Sequence, residues 1–506
     1  MYRSFQLTAN HHLLSSHVAI VYVAVVFRVK VLFVEPPKDF WFVMGEYLPP
    51  PLGLLQLAAY LENETKDVEI EVLDCQAKMV DWKRLEKHIE ESDPDIVASS
   101  GLATCNTYTA VRTLETAKKV KPDVLTVVGG QHFTATAKES LETYPEIDVI
   151  ARGEGEQTLV ELVKALANKT SFLNVQGLTF RRKGKVYHTP SRPLIENLDS
   201  LPFPGYHFVK DVVHKYHFTM MAGRSTRYTL IEGSRGCPHN CSFCSQWVHW
   251  RGKWRVKSPK RIADEMEFCY TNYGSRFFWL TDDNFGLGKH TDDLCDEITK
   301  RRFVDDIMWF MQARCDDVVQ HSSVLPKLRN AGNRWILLGV ETSHDPTLEA
   351  FNKKITPEDS EKAVELLKQN DIFAQATLII GGREDSAESI KQLREFVNKI
   401  DPGIAIFMIL TPFPGTKIYE EAKRNGWIED ANWANYDMVH AIMPTQYLSR
   451  MEVQEQLYEC YRSFYGSLPR RLTGLFSSNK LKRRTYRYLA GQGVLQELKR
   501  LFRGKT

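Results

Sequence analysis

Three cysteines, Cys237, Cys241 and Cys244, fall within eight residues of the stretch GSRGCPHNCSFCSQW, while Cys75, Cys105, Cys269, Cys295, Cys315 and Cys460 are scattered singly. Thiolates so grouped are metal ligands. An iron–sulfur cubane normally takes four, so three from one loop leave one iron open to a substrate or cofactor, and the site becomes catalytic instead of an electron relay. Zinc with His239 or His249 as fourth ligand is the competing reading. Structural zinc sites usually draw paired ligands from two knuckles, however, and the sequence has no second knuckle. Phe243, just before the third cysteine, would pack beside a cluster and help exclude water. The scattered cysteines do not make a secreted disulfide framework and fit a reducing cytosol, so the protein is expected to be cytoplasmic.

The elements that must position this loop alternate along the chain. VKVLFVEPP, VEIEVLD, PDIVASSGL, DVLTVVGG and IDVIARGEGE are short β-branched runs ending in Pro, Asp, Ser or Gly, separated by amphipathic helix-length segments such as PLGLLQLAAYLENE and TYTAVRTLETAKKV. That pattern predicts an α/β fold with a doubly wound (Rossmann- or flavodoxin-like) parallel sheet, whose ligands bind beyond the carboxyl ends of the strands. Between 171 and 227 the rhythm is lost: FRRKGKVYHTP reads as a small hairpin and LDSLPFPGYHF as a Pro-rich linker. From Tyr228 six further strand candidates follow, YTLIEGSRG, RFFWLTDDNF, IMWFMQARCD, RWILLGVETS, FAQATLIIGG and IAIFMILTPFPGT. They predict a partial (β/α)6 barrel with its chemistry at the strands' carboxyl ends. The expected division is an N-terminal extension over 1–28, a first domain over 29–170, the linker over 171–227, the barrel over 228–445 and a basic helical region over 446–506.

At 506 residues, with 43% hydrophobic and 25% charged residues, the composition excludes a disordered chain and an integral membrane protein. The apolar run HVAIVYVAVVF is too short to span a bilayer. Net charge is only +3, yet residues 470–506 hold eleven Lys or Arg and one acid, Glu497. Such a tail suits nucleic acid, an acidic partner protein or an anionic lipid surface, the last giving peripheral membrane contact without a transmembrane segment. The plainer reading is an amphipathic helical cap packed on the core.

The cysteine loop, placed after the first strand of a partial barrel, resembles that of the radical S-adenosylmethionine (SAM) superfamily. The resemblance implies that Cys237, Cys241 and Cys244 hold a 4Fe-4S cluster whose open iron chelates SAM. It implies further that LTDDNF places Asp282 and Asp283 near the SAM amino group. MQARCD would supply Gln312 and Arg314, the latter facing the SAM carboxylate, and LGVETS would bring Glu341 and Ser343 to the ribose. For an arbitrary strand-end acid such as Asp282 or Glu341, a helix N-cap is the competing role.

The first domain resembles the N-terminal B12-binding domain of cobalamin-dependent radical SAM enzymes, the class B methyltransferases among them. Contacts implied for cobalamin are Pro36, Leu54, Leu102, Thr104, Gly129, Gly130, His132, Gly153 and Glu154. Glycines at strand ends let backbone amides approach a bulky ring and its phosphate tail. Two departures matter: the chain lacks the D-x-H-x-x-G motif, which implies base-off cobalamin with Leu102 or a neighbour over the lower face, and Gln131 stands where relatives often have Pro. Weakly ligated cobalt favours methyl chemistry through methylcobalamin.

Together these features imply a cobalamin-dependent radical SAM C-methyltransferase that consumes two SAM per turnover and acts on an unactivated carbon. An acceptor in a protein or peptide, such as a glutamine residue, is one expectation; a lipid or small metabolite is another. The alternative reactions are a non-methylating porphyrin-type cyclisation or a ring contraction. A sensor that binds partners through its tail and catalyses nothing is the rival from another class. A ferredoxin- or flavodoxin-like electron donor, a monomeric state and no nucleic-acid partner complete the expectations.

Overall fold

In the computed structural model, residues 28–37, 47–101, 103–223 and 225–503 are described, with side chains through residue 492. The N-terminal extension and Leu102 therefore lie outside the described residues, apart from Arg28. Seven strands form the first sheet, in the spatial order Val68–Asp74, Val29–Glu35, Ile96–Ser100, Leu125–Gly129, Val149–Ala151, Leu178–Arg182, Lys185–His188. The first five are parallel, as the alternating pattern predicts. The last two run antiparallel at the edge. The hairpin expected in a linker thus extends the first sheet, because its strand Leu178–Arg182 buries Leu178 and Phe180 on the same core as Val149.

Strand Val29–Glu35 shows why both faces need cover. Val29, Val31 and Phe33 face one apolar core and Leu32 and Val34 the other, the period of two that a strand imposes. Helix Leu52–Glu64 lays Leu54, Leu55, Ala58 and Leu61 on the first core. That core continues without a break into the barrel. The segment between the sheets is stitched to both: the Tyr206 hydroxyl donates to the Leu230 carbonyl at 3.1 Å and the Tyr216 hydroxyl to Asp74 at 2.9 Å.

The second sheet has six parallel strands in chain order, Tyr228–Ile231, Phe277–Leu280, Met308–Arg314, Asn333–Glu341, Phe373–Ile380 and Ile404–Ile409. This is the expected partial barrel. Its lower interior is filled by rings: Phe310 stacks on Trp335 at 4.2 Å and on Trp279 at 4.7 Å, and Phe218 reaches Trp335 at 5.6 Å. Large aromatic side chains supply most of the apolar area that closes such a floor. Beyond the barrel, helices Arg450–Tyr465, Leu468–Leu475 and Lys480–Arg503 bury Val453, Leu457, Phe464, Leu481 and Tyr486. The basic region therefore does pack as a cap. Among the described residues no helix is long and apolar enough to cross a membrane.

Candidate active site

The cysteine loop begins where the first barrel strand ends and is pinched at its base. Ser234–Arg235 pairs antiparallel with Arg255–Val256, so residues 236–254 form a closed excursion. Gly236 lies at φ +90°, and a Cβ there would sit 2.0 Å from the Lys253 carbonyl oxygen. Only glycine fits that turn. The loop is then tied to the far side of the barrel: Ser242 N–H donates to the Phe351 carbonyl at 3.0 Å, and the Asn352 amide donates to the Asn240 carbonyl at 2.7 Å. Phe243 packs edge-on against Phe351 at 4.9 Å, which closes one wall of the site with apolar rings.

Cys241 is buried and Cys237 and Cys244 are half-buried. Burial pushes all three thiols up, Cys244 to about 12. Three thiols from one loop, with the rings of Phe243 and Phe351 beside them, fit the thiolate ligand set of an iron–sulfur cluster.

Around the loop stand two acids that form no ion pair among the described residues, Asp282 and Asp283, and others that do. Asp282 is buried and accepts the Gly233 N–H at 3.2 Å, and its Oδ1 has no partner. Burial pushes its carboxyl up to about 7. Asp283 also rises to about 7, through burial first and the neighbouring Asp282 second. Such a pair is poised for a cationic ligand group. Glu341 adopts φ +63°, a left-handed conformation costly for a side chain of this kind, and is held by Lys353 at 2.6 Å. A Cβ at Gly339 would come within 2.6 Å of the Glu341 Oε1. Gln312 and Ser343 are half-buried, and the Gln312 carbonyl accepts the Phe285 N–H at 3.3 Å. Arg314 is engaged within the protein. Its Nε and Nη2 each lie 2.9 Å from Asp316, and Nη2 also donates to the Lys353 carbonyl at 2.8 Å.

Facing the loop is the glycine-edged end of the first sheet. Gly101 N–H donates to the Gly129 carbonyl at 3.0 Å, and Gly130, at φ +95°, opens the helix Gln131–Ala135. Gly153, at φ +72°, donates its N–H to Thr134 Oγ1 at 3.1 Å. His132 is buried between Phe133 and Trp433, at 5.2 and 5.1 Å. Burial lowers its pKa to about 4, so the imidazole is neutral, and its Nδ1 has no partner. An unpartnered polar atom beside glycines is what a large amide-fringed ligand would satisfy. Pro36 and Thr104 are buried at strand ends on this edge, whereas Leu54 belongs to the apolar core.

Glu154 is engaged within the protein. Its carboxylate lies 2.7 Å from Arg235 and 2.9 Å from Arg255, and it accepts the Ile195 N–H at 2.6 Å. Arg235 also binds Glu156 at 2.6 Å and Glu232 at 3.0 Å. The two arginines that pinch the cysteine loop are therefore anchored to the first domain. Gln131 has a part in the same seam. Its Nε2 donates to Gln246 Oε1 at 2.6 Å, and its Oε1 accepts from the Ser245 hydroxyl at 3.2 Å, one residue after Cys244. Sequence reading marked Gln131 only as a departure and missed Arg235, Arg255, Gln246 and Trp433 altogether. The acid spacing in GEGE was the one available signal.

Residues 231–397 match the radical SAM superfamily and residues 44–163 the B12 binding domain. An uncharacterized methyltransferase of Pyrococcus horikoshii is 31% identical over 439 residues, 86% of this chain and 92% of that one. The anaerobic magnesium-protoporphyrin IX monomethyl ester cyclase of Cereibacter sphaeroides is 32% identical over 82% of this chain and 65% of its own length. Among solved structures, the radical SAM methyltransferase TsrM of Kitasatospora setae, determined with cobalamin and a 4Fe-4S cluster bound, superposes with a TM-score of 0.66 at 19% identity, over 87% of this chain and 89% of that one.

Proposed function

The chain belongs to the radical SAM superfamily, among the members with an N-terminal B12-binding domain, and from that premise we propose that it methylates an unactivated carbon. The observation that carries this reading is the seam. Gln131 to Gln246, and Glu154 to Arg235 and Arg255, brace the glycine edge of one sheet against the cysteine loop of the other. Two cofactor sites would then face each other across the seam. When bound, a cluster with SAM would supply a carbon-centred radical, and cobalamin would supply a methyl group.

The chain's own residues hold and orient. Cys237, Cys241 and Cys244 would each hold one iron of the cluster. Asp282 and Asp283 would accept hydrogen bonds from the ammonium of SAM, giving up the protons that burial makes them retain. Glu341, fixed by Lys353, would accept from the ribose hydroxyls. Neutral His132 and the amides at Gly130 and Gly153 would meet the corrin edge and its tail. Phe243 and Phe351 keep water from the radical's path, since a primary radical abstracts hydrogen from any C–H within reach.

The test is anaerobic reconstitution with iron, sulfide, cobalamin, SAM and a low-potential reductant, with peptide, lipid and tetrapyrrole acceptors. Deoxyadenosine and S-adenosylhomocysteine should form together, and label from the SAM methyl should enter the product. Identity to the cyclase supports a second reading, ring formation without methyl transfer. Deoxyadenosine with no labelled product would favour it.

A further inference from the structure

We propose that the C-terminal helical cap docks the protein on an anionic membrane surface through the exposed face of Leu468–Leu475 and the basic residues beside it. One side of this helix faces the protein: Arg470 bonds Asp401 ahead of the sixth barrel strand, and Gly474 packs on Tyr486 of the following helix. The other side carries Leu468, Leu472 and Phe476, which are 65%, 48% and 81% exposed. Spaced by four residues, they form one apolar stripe. A single exposed leucine needs no explanation, but a stripe of three on one turn-to-turn line does.

Charge decides the occupant. Between Glu459 and Glu497 the sequence holds no Asp or Glu, but it holds eight Lys or Arg. Of these Arg471, Lys480, Arg484 and Arg487, on or beside the later helices, are exposed, while Arg462 on the preceding helix pairs with Glu459 at 3.1 Å. The preceding helix, Arg450–Tyr465, also exposes large apolar groups, Met451 at 66% and Tyr458 at 56%. It mixes them with exposed Glu452 and Glu455, so that face is repelled by an anionic surface. Of these two faces, the later one combines apolar residues with positive charge and no acid, the signature of a helix lying in a lipid interface.

The docking has an orientation. Asn479 and Lys482 engage Asp371 and Asp401, which precede the fifth and sixth barrel strands, and Arg484 donates to the Ala222 carbonyl ahead of the first. The cap therefore sits at the amino ends of the strands, while the cysteine loop and the strand-end acids lie at the carboxyl ends. A bound membrane would leave the active-site mouth turned away from the bilayer and open to the aqueous side.

The test is co-sedimentation of the full-length protein with vesicles of phosphatidylcholine alone or of phosphatidylcholine and phosphatidylglycerol in equal parts. Pelleting with the anionic vesicles only, weakened by salt, is expected. L468S/L472S/F476S should lose more than about tenfold in affinity and R471Q/K480Q/R487Q roughly a hundredfold. These residues are exposed, and unchanged circular dichroism would verify folding. A protein that stays in the supernatant overturns the proposal, and so does wild-type binding by either variant. Concentration-dependent self-association lost in the apolar variant would assign the face to a second copy instead. None of these outcomes depends on cofactors, so failure here leaves the proposed reaction untouched.

Discussion

The seam between the domains and the mouth of the barrel are built from the same residue types, buried acids beside arginines or lysines, yet they are completed differently. At the seam, Glu154 and Glu156 find Arg235 and Arg255 at 2.6 to 2.9 Å. Burial works against the Glu232 charge there, but Arg235, Lys257 and Arg255 outweigh it and hold its pKa below the ordinary range. At the mouth, Asp282 accepts the Gly233 N–H, but neither it nor Asp283 forms an ion pair among the described residues, and burial leaves both near 7. The chain supplies both halves of an interaction where it needs architecture. Where it supplies one half, the other must come from a ligand.

The largest effect should come from the loop that the seam supports. Cys237→Ala should abolish iron incorporation at the cluster and reduce deoxyadenosine formation to background, as measured by iron content and chromatography. The seam itself should be intact in that variant. If iron content were unchanged, a three-cysteine cluster would be excluded.

Glu154→Ala comes next and should break the comparison from the seam side. It takes from buried Arg255 its carboxylate partner and from Arg235 one of three, a loss of about 3–5 kcal/mol in unfolding free energy, measurable by urea titration of the ligand-free protein. Asp282→Asn should do the opposite at pH 8, holding or raising the stability of the ligand-free protein, because the acid it removes is charged there without a partner. Equal destabilisation by the two variants would show that seam and mouth do not differ.

The pH profile sharpens the same contrast. A carboxyl with an ordinary pKa of 3.8 that rises to about 7 on folding binds more protons folded than unfolded between those values. The pair therefore contributes stability to the ligand-free protein at low pH that is lost as pH rises from about 4 to about 7, roughly 2–4 kcal/mol for the two coupled groups, while buried His132 and half-buried His239 and His249, each lowered to about 4, act in the opposite direction. The pair is isolated by the difference in urea midpoint between the wild type and Asp282→Asn/Asp283→Asn, which should move against the wild type across that window. A difference that does not change with pH would show that the two acids do not titrate there.

How much of this was legible in the sequence follows from range. Local signals carried the strands, the barrel order and the cysteine loop, because period-two burial and Gly–Cys–Pro turn chemistry are written within a few residues. Gly236 was visible as a turn residue, though not the 2.0 Å approach to Lys253 that demands it. The seam joins residues 81 and 101 positions apart, and no local pattern says which arginine meets which acid. Glu154 was therefore expected at cobalamin, and Arg314, bound by Asp316 two residues on, at SAM. Trp433, which covers His132, comes from 301 residues downstream.

Gln131 offers the smallest effect and the finest discrimination, because it separates the neutral part of the seam from the charged part. It occupies the first position of the helix Gln131–Ala135, where proline is tolerated because that N–H has no intrahelical acceptor. Gln131→Pro should therefore fold and retain the backbone while deleting the bonds to Gln246 and Ser245. The expected cost is about 1–2 kcal/mol, near 1 for each neutral hydrogen bond, and Gln131→Ala should match it within a few tenths. Gln246→Ala should cost more than Gln131→Ala, since it also strips the Trp250 indole of its acceptor at 3.0 Å. In a double-mutant cycle the pair should couple by about 1 kcal/mol. Coupling near zero would mean that Glu154 and its arginines align the two sheets alone, and that the amide bridge follows the alignment without contributing to it.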